Sequence, residues 1–148
     1  MNKVCTTKNT GKYVRFFTLL ISFTLFIVSC EVQNDNVTDD ARDNITGQWK
    51  CQEFDKNNKP YGFNATISKN SSDSTKIWVD NFSAFGPGIK VSVGMGGYLL
   101  TIPQQTVDGF KISGSGSVAS SNNKINWTYS IDDDNDGIFE HFTATFTR

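Results

Sequence analysis

The side chains best suited to bind a metal lie in the acidic stretch at residues 132–137, which reads DDDNDG. Carboxylates at alternate positions match the opening of a calcium loop, where they converge on one Ca²⁺ while a glycine permits a sharp turn. The ligands would be Asp132, Asp134 and Asp136. The twelfth position is Thr143, where a helix–loop–helix calcium site needs a bidentate Glu. A solvated turn between two strands, for which Asn, Asp and Gly are suited, is the alternative interpretation.

Aromatic residues make up 13% of the chain, a high share for its length. Four of them lie around the third predicted strand, the loop after it and the fifth predicted strand: Trp78, Phe82, Phe85 and Tyr98. A mobile lip at residues 82–88 would admit an apolar ligand or contact another protein. Ordinary packing in the core and in loops is the alternative interpretation of the same residues.

A basic head followed by an apolar run opens the sequence. Residues 1–15 hold four Lys and Arg and no acidic residue, residues 16–28 are predominantly apolar, and Ser29 is small. This is the pattern of a secretory signal peptide. As a helix the run would span roughly 20 Å, against the ~30 Å of a bilayer core, so a transmembrane helix is the poorer interpretation.

The end of this run, Ile27-Val28-Ser29-Cys30, resembles the lipobox of bacterial lipoproteins. The resemblance implies that Cys30 receives a diacylglycerol and that cleavage after Ser29 leaves the acylated Cys30 in first position. Several acyl chains make a durable anchor, since each buried CH₂ contributes about 0.8 kcal/mol and one chain alone is marginal. We therefore expect a lipid-anchored protein of the cell envelope, at the outer membrane. A plain secretory signal that ends in a chance cysteine is the alternative.

Catalysis and zinc binding find little support in the remaining side chains. Cys51 is the one free cysteine left once Cys5 is removed and Cys30 is acylated, and we expect it to be buried as a small hydrophobe. His141 is the only histidine, and by alternation it falls on the exposed face of the last strand. One His and one free Cys cannot complete a closed zinc site. Because no nucleophile, base and oxyanion donor are found together, we expect a protein that is not an enzyme.

The charge balance excludes one class of partner. The whole chain has fourteen Lys and Arg against fifteen Asp and Glu. Four of the basic residues precede Phe16, so the part from Cys30 onward keeps ten basic against fifteen acidic residues, a net charge of about −5. Nucleic-acid recognition normally needs a basic patch, so we expect no nucleic-acid partner. The remaining length suits a single domain with one core, and we expect a monomer.

Composition also predicts how the chain is divided. The stretch EVQNDNVTDDARDN that follows Cys30 has no aromatic residue and is rich in Asn and Asp, which is typical of a flexible spacer. The predicted parts are a signal peptide over residues 1–29, the acylated cysteine and tether over residues 30–44, and a folded domain over residues 45–148.

The folded domain has the composition of an all-β protein. Thr, Ser, Val, Ile and aromatic residues dominate it, and clusters of Gly, Asn and Asp interrupt them about every ten residues. Alternation is clearest in the seventh run, where one face would carry Ile125, Trp127, Tyr129 and Ile131. The eight predicted strands are 46–54, 63–69, 76–82, 89–93, 98–102, 110–118, 124–132 and 138–147.

Short connections between these strands predict an antiparallel up-and-down meander. With eight strands, a closed barrel is the common arrangement because closure removes both exposed edges. Gly114 and Gly116 inside the sixth strand fit the kinks that let a small barrel bend. The interior of such a barrel is filled by side chains or holds one small ligand.

The residues Gly47-Gln48-Trp49 at the start of the first strand resemble the Gly-x-Trp that opens lipocalin-type barrels. In that family the Trp closes one end of the barrel beneath an Arg or Lys from the last strand. The resemblance therefore implies a structural role for Gly47 and a cation–π contact between Trp49 and Arg148, worth ~0.5–2 kcal/mol. Residues 45–148 as a whole are similar to small lipocalin-like bacterial lipoproteins, which implies a ligand-binding protein.

Two functional hypotheses follow from this sequence. The first is binding of a small apolar or amphipathic molecule at the mouth of an eight-stranded, lipocalin-like barrel, with no cofactor other than the Ca²⁺ considered above. The second is a protein-interaction or inhibitor module that uses loops at the barrel mouth and holds no internal ligand. An apolar internal cavity would favour the first hypothesis, whereas a barrel packed solid to its mouth would contradict it and favour the second.

Overall fold

The structure, a computed structural model, describes residues 39–148 and consists almost entirely of β-strands. A short 3₁₀ turn at Ala41–Asn44 precedes the first strand, and a second one lies at Phe82–Ala84. The strands are β1 (Gly47–Phe54), β2 (Pro60–Lys69), β3 (Lys76–Asp80), β4 (Lys90–Gly96), β5 (Leu99–Val107), β6 (Phe110–Val118), β7 (Lys124–Asp132) and β8 (Glu140–Thr147).

The eight strands form a closed antiparallel up-and-down barrel, as the sequence predicted. Each strand pairs with the next along the chain, and β8 closes the barrel by pairing with β1, with Cys51 opposite Phe146. Every second residue points inward, so the interior is an apolar core built from all eight strands. The predicted face of β7 is buried from Ile125 to Ile131.

β2 begins three residues earlier than predicted and β4 ends three residues later. Two further boundaries differ from the predicted ones for identifiable local reasons. β3 stops at Asp80 because Asn81 takes a left-handed conformation, with φ of 59°, and turns the chain into the barrel. β5 continues past Ile102 to Val107 across a β-bulge. At this bulge β5 separates from β4, and the side-chain amide of Gln105 makes the hydrogen bonds that a paired strand would make. Its Oε1 accepts from the N–H of Ser92 (3.0 Å), and its Nε2 donates to the C=O of Ser92 (2.7 Å).

Gly114 and Gly116 are required by close packing rather than by a kink alone. A Cβ on Gly114 would lie 2.4 Å from the Cβ of Tyr129 and 2.6 Å from the backbone oxygen of Thr128. A Cβ on Gly116 would lie 2.6 Å from Cε3 of Trp127. The two glycines therefore let the large side chains of β7 lie directly over the backbone of β6.

One end of the barrel, which we call the sealed end, is closed by Trp49 and Arg148. The indole Nε1 of Trp49 donates to the carbonyl of Ile45 (2.9 Å), and Cζ of Arg148 lies 4.7 Å from the centre of the Trp49 ring. The Arg148 guanidinium also donates to the carbonyls of Asn122 (3.1 Å), Thr46 (3.0 Å) and Asn44. The predicted cation–π contact is thus present, reinforced by hydrogen bonds to the segment before β1 and to the loop between β6 and β7.

The last residues of the predicted tether are part of this sealed end. Nη1 of Arg42 donates to the carbonyls of Asn70, Asp73 and Lys76, at 3.1–3.2 Å. The carboxylate of Asp40 accepts hydrogen bonds from the same guanidinium and holds it in place. The prediction of a flexible spacer up to residue 44 is therefore wrong over its last residues, because Arg42 ties the 3₁₀ turn to the loop between β2 and β3.

The predicted signal peptide, the lipidation site Cys30 and most of the tether lie outside the described residues. Within residues 39–148, no helix has the length and apolar character needed to cross a bilayer. Cys51 is a free cysteine and is buried in the core, as expected. Burial raises the pKa of its thiol to about 12.

Candidate functional site at the barrel mouth

The end of the barrel opposite the sealed end, which we call the mouth, is framed by four connections: residues 55–59, 81–89, 108–109 and 133–139. The longest, residues 81–89, folds into the barrel, and we call it the lid. Phe82 of the lid is completely buried. Its ring centre lies 5.2 Å from that of Trp127, 4.8 Å from that of Tyr129 and 5.8 Å from that of Phe146. The upper interior of the barrel is therefore occupied by a side chain from its own lid.

A buried polar cluster lies beside the Phe82 ring. Glu53, at the end of β1, is only 7% exposed although it carries a carboxylate. Its Oε2 accepts hydrogen bonds from the hydroxyl of Ser83 (2.7 Å) and from the phenol of Tyr129. The two hydroxyls are themselves 3.3 Å apart. Burial of a carboxylate is costly without such donors, so the cluster stabilises Glu53 in an otherwise apolar interior.

The electrostatics of the cluster fix its proton donors. Burial, and secondarily the nearby charge of Glu53, raise the pKa of Tyr129 far above its usual range. The phenol therefore keeps its proton at every physiological pH and acts as a donor. Because both hydroxyls donate to the same oxygen, Glu53 is the acceptor at the centre of the cluster.

The lid is held in a strained backbone conformation. Asn81, Ser83 and Ala84 have φ of 59°, 51° and 57°, in the left-handed region that residues with a Cβ rarely adopt. The Asn81 side chain keeps the lid in place, since Nδ2 donates to the carbonyl of Asn64 (2.7 Å) and Oδ1 accepts from the N–H of Gly86 (2.9 Å).

Aromatic side chains line the mouth around the lid. Phe85 stacks on Phe110 with ring centres 4.9 Å apart and planes 10° apart. Phe142 stacks on Tyr129 at 5.7 Å. On the other side, Phe63 contacts Phe146 edge-on at 5.9 Å, and Tyr61 stacks against Phe63 at the exposed rim. The mouth thus has an apolar wall around the buried carboxylate of Glu53, while a second buried carboxylate, that of Asp132, lies at the end of β7.

The structure brings together only two of the four aromatic residues that the sequence suggested as a ligand site. Phe82 and Phe85 belong to the lid. Trp78 lies between the inward-facing Ile77 and Val79 of β3 and so points to the outer wall, and Tyr98 is 57% exposed at the sealed end. Sequence reasoning missed Glu53, Ser83 and Tyr129 as a group. One signal was available in the sequence. Glu53 alternates with Trp49 and Cys51 along β1, so its side chain is expected to point into the barrel.

The acidic loop at residues 132–137 is organised around a hydrogen-bonded Asp132. Asp132 is fully buried, and its Oδ2 accepts from the Nζ of Lys111 (3.2 Å) and from the N–H of Gly137 (3.2 Å). Asp134 and Asp136 are exposed, and Oδ1 of Asp136 accepts from the N–H of Ile138. In the part of the chain that the structure describes, no three His, Cys, Asp or Glu side chains are grouped as metal ligands. The calcium interpretation is therefore not supported, and the turn interpretation describes the loop.

His141 lies on the exposed outer wall, where its Nδ1 is 2.8 Å from the hydroxyl of Ser130 on β7. Surface grooves also lie on the outer wall. One runs along β1, β2 and β8 and is lined by residues that include Lys50, Asn64 and Thr147. These features are separate from the mouth, where the lid occupies the interior.

No known protein family matches the sequence, and no curated protein matches it. Similar solved structures are designed barrels. A redesigned β-barrel superimposes with a TM-score of 0.53 at 14% identity, covering 73% of this chain and 94% of its own. A second redesigned barrel, mFAP1 bound to DFHBI, has the same TM-score and identity and covers 73% of this chain and 98% of its own. A de novo designed fluorescence-activating barrel reaches 0.50 at 15% identity, covering 74% and 97%. At this level of identity the similarity establishes an eight-stranded β-barrel fold.

Proposed function

We propose that this chain is a lipid-anchored, lipocalin-like protein of the cell envelope that binds a small apolar or amphipathic molecule at the barrel mouth. The ligand would take the place of Phe82 and Ser83 when the lid swings out. The proposed role is binding rather than catalysis. It requires no metal or cofactor, and the partners are the membrane, through the anchor, and the small ligand.

The observation that carries this proposal is that a lid side chain, and not the barrel wall, fills the upper interior, so that this space would become free if the lid opened. Burying the Phe82 side chain contributes about 1.5–3 kcal/mol to the closed state. The left-handed conformations of Ser83 and Ala84 act in the opposite direction, at about 1–3 kcal/mol each. Since these opposing contributions are similar in size, a ligand that fills the same apolar space can shift the lid towards an open state.

The designed barrels give the proposal a physical precedent. The structure of mFAP1 contains the small molecule DFHBI. An eight-stranded barrel is just wide enough to be filled by side chains or to hold one such molecule. In this chain the lid side chains occupy that space, so their removal would free room for a ligand.

The anchor is proposed from Ile27-Val28-Ser29-Cys30 alone. We expect the Cys30→Ser variant to lose its covalent lipid and to leave the membrane fraction of the producing cells. Mass spectrometry of the N-terminal peptide would show a diacylglycerol on Cys30 in the unaltered chain. An unmodified Cys30 peptide would contradict the anchor and leave ligand binding to be judged separately.

Native mass spectrometry of the full chain purified from its host tests ligand binding. We expect a small non-covalent adduct that is lost on collisional activation, whereas a lipid on Cys30 stays attached. The Phe82→Ala variant should retain about 10- to 100-fold more adduct, because the lid no longer competes for the site. Tyr98→Ala, at the sealed end, is the matched control and should leave the adduct unchanged. Absence of any adduct in all three proteins would contradict the proposal.

The second candidate is a protein-interaction module, and exposed apolar side chains at both ends of the barrel favour it. Tyr61 and Ile138 are exposed to 58% and 69% at the mouth, and Tyr98 and Leu99 to 57% and 68% at the sealed end. A contact with another protein would bury them, and the Tyr98→Ala and Leu99→Ser variants would then lose a protein that copurifies with the unaltered chain. Retention of the small-molecule adduct in these variants would assign the main function to the mouth.

A further inference from the structure

We infer that the mouth selects ligands that join an aromatic or similar apolar group to a hydrogen-bond-donating head, an ammonium or a hydroxyl, and that it rejects carboxylates. The inference rests on the proposed function and specifies its ligand class. It assumes that the ligand takes over the space and the contacts that Phe82 and Ser83 have when the lid is closed.

The lid presents two chemically distinct groups to two distinct surfaces. The Phe82 ring packs among Trp127, Tyr129 and Phe146. One residue further on, the Ser83 hydroxyl donates to Oε2 of Glu53 at 2.7 Å. A molecule that displaces the Phe82 ring and the Ser83 hydroxyl must fill the apolar space and supply a new hydrogen-bond donor. Without that donor, Glu53 would keep only the hydrogen bond from the Tyr129 phenol.

The chemistry of Glu53 sets the sign of the preference. A buried carboxylate that loses a hydrogen-bond donor is left partly unsatisfied, at a substantial cost in free energy. An ammonium head replaces the Ser83 hydroxyl with a charge-assisted donor, which is stronger than a neutral one. A carboxylate head would place a second negative charge next to Glu53 in an apolar site, where the two charges repel each other.

Two of the four lysines at this end of the barrel form ion pairs with acidic partners. Nζ of Lys56 pairs with Glu140 at 2.6 Å, and Nζ of Lys111 pairs with the buried Asp132 at 3.2 Å. These pairs lessen the attraction that either lysine would exert on an anionic ligand. The carboxylate that contacts the lid from inside the barrel is Glu53, so we assign the head-group preference to this residue.

The experiment compares four compounds with the same phenylbutyl body: 4-phenylbutylamine, 4-phenylbutanol, 5-phenylpentanoate and butylbenzene. The full chain is held in phosphatidylcholine nanodiscs and titrated by calorimetry, with empty nanodiscs as the blank for partitioning into lipid. We expect the amine to bind about 10- to 100-fold more tightly than butylbenzene, with the alcohol between them and the carboxylate weakest.

Two isosteric variants assign the preference to one carboxylate. Glu53→Gln should remove most of the advantage of the amine and leave the affinity for butylbenzene within about threefold, which also shows that the barrel is intact. Glu140→Gln, at the same end but in an exposed ion pair, should leave the preference unchanged. Ser83→Ala removes the internal competitor and should tighten amine binding more than butylbenzene binding.

The outcomes distinguish failure of the inferred ligand class from failure of the proposed binding function. Equal binding of all four compounds would overturn the ligand class and leave the binding site standing. If Glu140→Gln loses the preference to the same extent as Glu53→Gln, the preference is a general effect of negative charge. That result would also overturn the inferred ligand class. If none of the four compounds binds, the proposed function itself fails and the ligand class fails with it.

Discussion

The phenol of Tyr129 donates a hydrogen bond to the carboxylate of Glu53 and so links β7 to β1, two strands that are not neighbours in the barrel. The bond crosses the interior between residues 76 positions apart in the sequence. It therefore bridges the two strands on either side of β8 at the level of the lid. Its removal should affect both the stability of the barrel and the order of the mouth.

The Tyr129→Phe variant should lower the free energy of unfolding by about 1–3 kcal/mol, because Glu53 loses a buried donor. The double variant Glu53→Met with Tyr129→Phe removes both polar partners and should recover much of this loss. Urea denaturation of the unaltered chain, the two single variants and the double variant measures the effect. Losses that simply add in the double variant would contradict the coupling between the two side chains.

Gly114→Ala should destabilise the barrel by about 1–3 kcal/mol or more, since the new Cβ would meet backbone atoms of β7 that cannot move aside. Gly96→Ala is the matched control, because a Cβ there meets nothing within 4 Å, and it should change the unfolding free energy by less than about 0.5 kcal/mol. Thermal and urea melts of the two variants provide the comparison. Equal effects would show that the close packing of β6 on β7 is not what requires glycine.

Arg148→Ala should cost about 1–3 kcal/mol, because it removes the contact with Trp49 and leaves three backbone carbonyls without their donor. Arg148→Lys keeps the charge but cannot reproduce the planar fork, so it should restore only part of the loss. The urea midpoint and the fluorescence of Trp49 report the change. Full recovery with lysine would indicate that charge alone matters at the sealed end.

The thiol of Cys51 should be unreactive in the folded protein. Burial raises its pKa to about 12, so at pH 8 almost no thiolate is present and the reagent has no access. Peptide-resolved iodoacetamide labelling should modify Cys51 only after urea is added, with at least a hundredfold difference in rate. Rapid labelling of the native protein would show that the barrel opens frequently around β1.

Acid should weaken the sealed end. A hydrogen bond from Lys76, followed by those from Thr75, holds the pKa of Asp73 well below its usual range. A group with a depressed pKa stabilises the folded state above its unfolded pKa of about 3.9, and this contribution is lost as the pH falls towards the folded pKa. The difference in stability between the unaltered chain and Asp73→Asn should therefore be larger at pH 7 than at pH 2.5. An equal difference at both values would contradict this role of the carboxylate.

The sequence carried most of the information about the barrel and little about its mouth. Alternation and turn clusters predicted eight strands and their order, because period-two burial leaves a direct trace in the chain. The entry of Phe82 into the core leaves no such trace, since it depends on left-handed conformations at Asn81 and Ser83. The partners of Glu53 come from distant strands and loops, and their convergence follows only from closure. Arg42 was assigned to a spacer because its carbonyl partners lie about thirty residues away.

Closure of the barrel by β1 and β8 also has a kinetic consequence. The hydroxyl of Thr147 reaches the carbonyl of Lys50 across 97 positions, so the final seam is among the most non-local contacts that the chain makes. The loop entropy of this pairing must be overcome before the seam gains any stability, which favours slow folding on a scale of roughly milliseconds to seconds. During synthesis at about 5–20 residues per second, β1 would wait roughly 5–20 s for β8 with one edge unpaired. Shielding of this edge by a chaperone during synthesis should therefore raise the yield of folded protein.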